Sequence, residues 1–336
     1  MRFKSAAGFS IVEFLIATSL GALLIAIAGA VYLSNKTTYR IQDGLARLQE
    51  NGRYAAYILA KDLRMAGFQG CANQRQVKVT NLVTNPSIVL NYDTPLLGFD
   101  GLSSTFSPAL PANITGKAVT GNDVVEIRMA SNRGVQLRED MNRTNNPILV
   151  YDRLDIQAGM PIMITNCVIG DIFIAGANSN ATAITHTVTN NNANDLSIPY
   201  LHTAQIMQLL YYAYYIKNTG RVNAQGQPVY ALMRQDINGN EIELAEGVER
   251  MRITYGVDTN TDNVVDSYQT ATQINAANNW NNVISIRINL LLATVENVNN
   301  KIQPYVYNGS TVTPTDRKLR RQWEVFVTLR NRGLST

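Results

Sequence analysis

Between Phe9 and Leu33 the chain carries one charged side chain, Glu13. About 20 apolar residues rising ~1.5 Å each cross the hydrocarbon core of a bilayer, so this stretch is long enough to span one. Arg2 and Lys4 precede it. The Lys/Arg bias keeps that end cytoplasmic, and the remainder of the chain is then exported. An ordinary secretory signal has a shorter apolar core followed by a small-residue cleavage site. Here the run continues into Tyr32-Leu33-Ser34-Asn35-Lys36 without one. An ionisable group at membrane depth costs roughly 2.5 kcal/mol or more at the centre and less near an end, and by default it marks function with a partner. The plain alternative for Glu13 is a carboxylate that snorkels to the membrane edge.

Composition suits an exported globular protein. The 336 residues suffice for one large domain or two small ones, and only 16% are charged. The formal net charge is +4, falling to +2 without Arg2 and Lys4. That balance is too weak to imply nucleic acid as a direct partner. There are two cysteines, Cys71 and Cys167. In an oxidising compartment they are expected to form one disulfide. A loop of that length would stabilise by roughly 4–5 kcal/mol in the chain-entropy model. Two buried, unpaired thiols are the alternative.

Past the apolar run, Ile41, Leu45, Leu48, Gly52, Ala55 and Leu59 recur at spacings of three and four. This is the stripe of an amphipathic helix. Arg40, Asp43, Arg47, Glu50, Arg53 and Lys61 lie largely off it, and no proline falls between Phe9 and Ala66. Gly44 and Gly52 each cost about 1 kcal/mol relative to alanine, which suits points of bending or close packing. Gly67 is placed to cap the helix end. One helix over 9–66 would be roughly 85 Å long. Its first half is apolar all round and is expected to pack among other helices. Its second half is expected to carry a globular domain.

The remainder reads mostly as strands rich in Val, Ile, Tyr and Phe: Ile88–Tyr92, Val124–Met129, Ile148–Tyr151, Ile172–Ala175, Met207–Ile216, Val229–Arg234, Met251–Val257, Val283–Ala293 and Trp323–Leu329. Asn218-Thr-Gly220 and Asn238-Gly239 read as turns, the second as a hairpin turn between Tyr230–Met233 and Glu241–Leu244. Asn178–Asn194 reads as a loop-rich excursion. The expected class is α+β, with an antiparallel sheet against the upper half of the long helix.

Gly8-Phe9-Ser10-Ile11-Val12-Glu13 is similar to the N-terminus of type IV pilins and of type II secretion pseudopilins. In that signal a leader is cut after the glycine and the new N-terminus is methylated. Cleavage between Gly8 and Phe9 would make Glu13 the fifth residue, placed to pair with the freed amine of a neighbouring subunit. Tyr32-Leu-Ser-Asn-Lys36, Leu45-Ala-Arg-Leu-Gln-Glu-Asn-Gly-Arg53 and Asp62-Leu-Arg-Met-Ala-Gly-Phe-Gln-Gly-Cys71 resemble minor pilins of the PilW family, as does Trp323–Arg332. Many major pilins carry a proline in the membrane helix. Here that region reads Ala28-Gly29-Ala30-Val31, so helix melting on assembly is not carried over.

The resemblance implies a type IV pilin-like fold. Its parts would be a leader (1–8), a transmembrane and assembly helix (9–34), its amphipathic continuation (35–66) and a β-rich globular domain (67–336). It implies a non-enzymatic, single-pass inner-membrane protein with a periplasmic C-terminal domain, later built into an extracellular pilus. Such a minor pilin works with other minor pilins, the major pilin, a tip adhesin, the prepilin peptidase and an inner-membrane assembly platform. It primes assembly at or near the tip and supports twitching motility, adhesion or DNA uptake. Because it retains Glu13, the chain is expected below another minor pilin rather than at the extreme tip. The alternatives are a type II secretion minor pseudopilin and a non-polymerising, calcium-dependent adhesive protein on a membrane anchor.

Calcium enters through Asp258-Thr-Asn260-Thr-Asp262-Asn-Val264-Val-Asp266. Oxygen side chains at loop positions 1, 3, 5 and 9, with the Val264 carbonyl at 7, resemble the donor spacing of an EF-hand loop. Gln269 stands where such a loop has its bidentate glutamate, and a plain polar loop is the alternative. His186 and His202 sit in no metal-ligand or nucleophile spacing, so surface or packing roles are expected. The basic run 317–321 reads as a solvated segment ahead of the last strand. Alternatively it could contact an acidic neighbour, phospholipid or DNA. The tyrosines of 207–216 read as a packed strand rather than a carbohydrate platform.

Overall fold

The computed structural model describes residues 10–70, 77–85, 90–151, 156–180 and 182–331. A single helix, α1, runs Ile11–Arg64 without interruption. Ser10 caps its start: the Ser10 hydroxyl accepts from the Val12 N–H (3.2 Å), and the Glu13 carboxylate accepts from the Ser10 N–H (3.0 Å). Met65 closes the other end, and Gly67, at φ +76°, turns the chain away in the left-handed region that glycine tolerates.

In chain order the first strands are β1 (Lys78–Asn81), β2 (Leu96–Gly101), β3 (Phe106–Ser107), β4 (Val124–Ala130), β5 (Val135–Gln136), β6 (Ile148–Leu149), β7 (Pro161–Thr165), β8 (Ile169–Ile174) and β9 (Ala183–Ile184). Then come β10 (Gln205–Val222), β11 (Pro228–Gln235), β12 (Glu241–Glu246), β13 (Val248–Val257) and β14 (Ser267–Gln269). After the short helix α2 (Ala271–Ala276) follow β15 (Val283–Ala293), β16 (Tyr305–Tyr307), β17 (Ser310–Val312) and β18 (Arg320–Thr328).

The larger sheet has the order β1-β8-β7-β10-β4-β2-β3, with β5 and β11 also on β10 and β12 on β11. The second sheet runs β14-β13-β15-β18. Both are antiparallel except for the β1–β8 pair. The layout is the α+β, pilin-like arrangement of a long apolar N-terminal helix on a mostly antiparallel sheet domain.

Strand β10 organises the larger sheet because successive side chains face opposite ways. Tyr214 and Ile216 join the apolar cluster beneath α1, whereas Tyr211, Ala213 and Tyr215 join a cluster with Phe99, Ile114 and Val124. The cluster under the helix holds both sheets together, meeting Leu48, Ala55, Leu59 and Leu63 with Ile127, Ile253, Ile288 and Val327. Burying each large aliphatic side chain there contributes roughly 1.5–3 kcal/mol. A separate cluster (Leu137, Ile148, Ile162, Phe173, Ile206) fills the lobe made by the chain between β4 and β10.

Three local expectations change. Asn218-Thr-Gly220 is no turn: it lies inside β10, where the register with β11 shifts, and the chain reverses at Asn223–Gln227 instead. Asn238-Gly239 does form the β11–β12 turn, closed by the Asp236 N–H to Asn240 carbonyl bond (3.0 Å). The expected strand 88–92 falls partly outside the described residues, and Asn91 and Tyr92 lie in no strand. Finally, the basic run 317–321 is only half solvated. Lys318 is buried against Glu249 and Arg320 is half-buried against Glu249 and Asp316, while Arg317 and Arg321 are exposed.

Candidate functional site

Among the described residues nothing covers the first half of α1. Ile11, Phe14, Leu15, Leu20, Leu23, Leu24, Ile27 and Leu33 are all exposed, and none of the most apolar window is buried. Monomeric soluble proteins rarely expose contiguous apolar patches larger than a few hundred Å², and a larger one marks a surface that meets a membrane or another protein. Glu13 sits in the first turn of this uncovered half. One carboxylate oxygen is taken by its own helix cap, and no bond to the other is seen among the described residues. Gly8 and Phe9 lie outside the described residues.

The second half of α1 is fixed to the sheets by close packing and by one polar clamp. The buried face runs Gly44, Leu48, Gly52, Ala55, Leu59, Asp62 and Leu63. A Cβ on Gly44 would stand 3.1 Å from Thr294 and Val298, and one on Gly52 would stand 2.8 Å from the Trp323 indole. The two glycines therefore serve close approach, not bending. At the top of the helix Asp62 is buried, and its Oδ2 accepts from the Tyr214 hydroxyl and from Arg234 Nη1 (3.1 Å). The Arg234 guanidinium lies 4.5 Å from the centre of the Tyr212 ring. The last turn of α1 is thereby tied to β10 and β11. Burial next to the Asp62 carboxylate holds the Tyr214 hydroxyl well above its usual range, so it remains a donor.

The same chemistry recurs through the sheet domain. Tyr211 donates to Glu126 (2.6 Å), Tyr200 to Asp171 (2.9 Å) and Tyr215 to Glu241. Glu126 also pairs with Arg128 at 2.7 Å, both side chains fully buried. These carboxylates are occupied by structural donors. Asp316 is held below the usual carboxylate range chiefly by its hydrogen bonds to Arg320. Its folded pKa is depressed, so its contribution to stability is present above the unfolded value and is lost as pH falls through the folded one.

Among the described residues no three His, Cys, Asp or Glu side chains form a group that could hold a metal ion. In the 258–266 loop Asp258 is buried and accepts from the N–H groups of Thr261 (2.7 Å) and Asn263 (2.9 Å). Asp262 accepts from the Val264 N–H (2.8 Å) and the Asn260 amide (3.1 Å). Asp266 accepts from the Thr259 hydroxyl (2.6 Å) and N–H (2.7 Å), which lowers its pKa. Thr261 and Asn263 both have φ of 64°. The loop is thus a tight turn whose carboxylates bind its own donors. His186 is buried with its ring nitrogens 2.7 and 3.0 Å from the carbonyls of Asn194 and Asn146, and His202 pairs with Asp140 on the surface. Cys167 is disulfide-bonded, whereas Cys71, the only other cysteine in the chain, lies outside the described residues.

The functional residue that sequence reasoning missed is Asp62. Its signal was a carboxylate three residues beyond Leu59 and seven beyond Ala55, on the apolar stripe itself. A charge in that position needs a buried partner.

Residues 213–331 match the family model of the type IV pilus-assembly protein PilW. The matched segment runs from the middle of β10 through β18 and includes Arg234 of the clamp, so the resemblance carried by the N-terminal segments has independent support from the C-terminal third. The matching family is described by its part in type IV pilus assembly. No curated protein and no solved structure matches the chain.

Proposed function

We propose that the chain is a minor pilin of a type IV pilus, cut between Gly8 and Phe9 and anchored in the inner membrane with its sheet domain in the periplasm. From there it joins other minor pilins in a complex that primes the filament and stays at or near its tip. Its other partners would be the prepilin peptidase, the inner-membrane assembly platform, the major pilin and a tip adhesin. The observation that carries this reading is the 54-residue helix with one half uncovered and the other locked to a sheet domain. Such a helix can exchange lipid for neighbouring helices without refolding the domain. In the assembled state Glu13 would pair with the amine of the subunit above. Replacing Gly8 with tyrosine tests the processing step. The variant is expected to stay uncut in the membrane and surface pili to be lost. Normal processing and normal piliation would reject the proposal.

Two smaller proposals go with it. Cys167 pairs with Cys71, tying the segment after α1 to the turn between β7 and β8. Non-reducing peptide mapping of native protein should recover that cross-link, and a free Cys71 thiol would refute it. Second, the 258–266 loop binds calcium weakly. Its support is the oxygen spacing together with Thr261, a β-branched residue in a left-handed conformation that costs of order 1–3 kcal/mol. Calcium at about a hundred times the dissociation constant should add about 2.7 kcal/mol of stability. Asp262→Ala should erase that gain, and the same variant in chelator measures what its bonds to the Val264 N–H and the Asn260 amide contribute without calcium. Melting curves that do not move up to about 10 mM calcium would leave only the plain turn, because even extracellular-type sites bind at ~10⁻⁴–10⁻³ M.

A further inference from the structure

Just beyond the uncovered half of α1, Lys36 and Arg40 stand one helical turn apart, both exposed. Helical side chains lean toward the N-terminus, which here is the membrane end. Arg40 Nη2 donates to the carbonyl of Asn297 (3.1 Å), and Asn297 Oδ1 accepts from the Arg317 N–H (2.9 Å). The Asn299 N–H in turn donates to the Arg317 carbonyl (3.0 Å), and Val298 packs at Gly44. The loop after β15 is therefore fastened to the helix at the level of Arg40. Lys301 and Ile302 follow in that loop and are exposed.

Positive charge is in excess at this base, with Glu296 the anion that offsets part of it. Among the described residues Lys36, Arg40, Lys301 and Arg317 make no ion pair, while Asp43 is held by Arg47 (3.1 Å) and Asp316 by Arg320 (2.6 Å). Glu296 accepts from the Ala224 N–H (3.2 Å). Tyr32 and Tyr39 expose their rings on either side of Lys36. From Leu33 the helix rises roughly 5 Å to Lys36 and 10 Å to Arg40. A headgroup layer is about 5–8 Å deep on each side of the hydrocarbon core, so Lys36 lies within it and the loop lies at its outer boundary. Interfacial tyrosines beside clustered cations are the pattern of a surface that meets anionic lipid. Lys36 and Arg40 also sit on the exported flank, where the bias that orients the helix disfavours cations. A task on that face accounts for their presence.

We propose that Lys36, Arg40, Lys301 and Arg317, with Tyr32, Tyr39 and Ile302, dock the base of the sheet domain onto anionic phospholipid headgroups of the membrane that α1 crosses. The proposal rests on the membrane-anchored reading above, so its test separates the two. The full chain is placed in nanodiscs of phosphatidylcholine, with or without phosphatidylglycerol. A fluorophore is attached through an encoded azide side chain at Leu23, Ile302 or Asn260. Asn260 follows the end of β13 that is remote from the base, roughly 30 Å away along the strand. Quenching by dissolved iodide is then read.

Position 23 is expected to be shielded in both discs and position 260 to be open in both. Position 302 is expected to be shielded when phosphatidylglycerol is present and to open as salt is raised. Lys301→Gln and Arg317→Gln should each lower the docked-to-free ratio roughly fivefold. If position 302 is as open as position 260 while position 23 is shielded, the docking surface is wrong and the anchor stands. Shielding at 302 that ignores phosphatidylglycerol, salt and both glutamine variants also overturns it. An open position 23 overturns the anchor and the docking surface together.

Discussion

Replacing Asp62 with alanine is expected to destabilise the sheet domain by about 3 kcal/mol, the lower end of the range for breaking a buried ion pair. The lower end applies because Arg234 keeps some contact with water, its side chain being 23% exposed. The loss has two parts. Tyr214 is left with a buried hydroxyl that no longer finds its acceptor, and Arg234 with a charge supported only by the Tyr212 ring. Denaturant unfolding of the full chain measures it. Replacing Asp62 and Arg234 together by leucine should recover part of the stability, because removing both partners leaves no orphaned charge. A change below about 0.5 kcal/mol for Asp62→Ala, typical of a surface substitution, would show that the clamp does not hold the helix.

The second large effect is expected at Glu13, and it is one of assembly, not of folding. Glu13 lies in the first turn of α1, far along the helix from every buried residue of the domain. Glu13→Ala should leave domain stability unchanged and deplete the chain from pili. If an unpaired amine in an apolar helix bundle costs about 3 kcal/mol, incorporation falls by roughly two orders of magnitude. Glu13→Gln separates two roles. The amide can still accept from the Ser10 N–H and keep the helix cap, but it cannot neutralise an amine. Glutamine is therefore expected to assemble as poorly as alanine. Wild-type incorporation of the glutamine variant would assign Glu13 to capping alone.

Much of the layout was legible because its signals are local. The apolar run, the stripe from Leu48 to Leu59, the β-branched segments at 124–130 and 283–293 and the Asn238-Gly239 turn each announce themselves within a few residues. What escaped depends on partners distant in sequence. Strand β2 carries Gly98 and Gly101, which weaken any strand signal. The fold needs them because a Cβ on Gly98 would stand 2.0 Å from the Tyr255 hydroxyl, and one on Gly101 would stand 2.1 Å from the Asn122 carbonyl oxygen. Strand β7 opens with Pro161, which reads as a breaker until its pairing with β8 is seen. The run 317–321 reads as solvated cations because Glu249, which takes up Lys318 and Arg320, lies some seventy residues earlier. Asp62 reads as one more charge on a helix until Tyr214 and Arg234 are brought to it by the sheet. Glu13 was legible as a costly residue, but its bond to the Ser10 N–H was not foreseen.

The central claim is that the uncovered half of α1 is held in lipid first and, after cleavage between Gly8 and Phe9, is buried among other subunits. The measurement that meets it most directly is intact-mass and N-terminal analysis of the chain recovered from pili sheared off the cell surface. The account predicts a chain that begins at methylated Phe9 and is present in the filament fraction. A chain found only in the membrane fraction, still carrying residues 1–8, would contradict it.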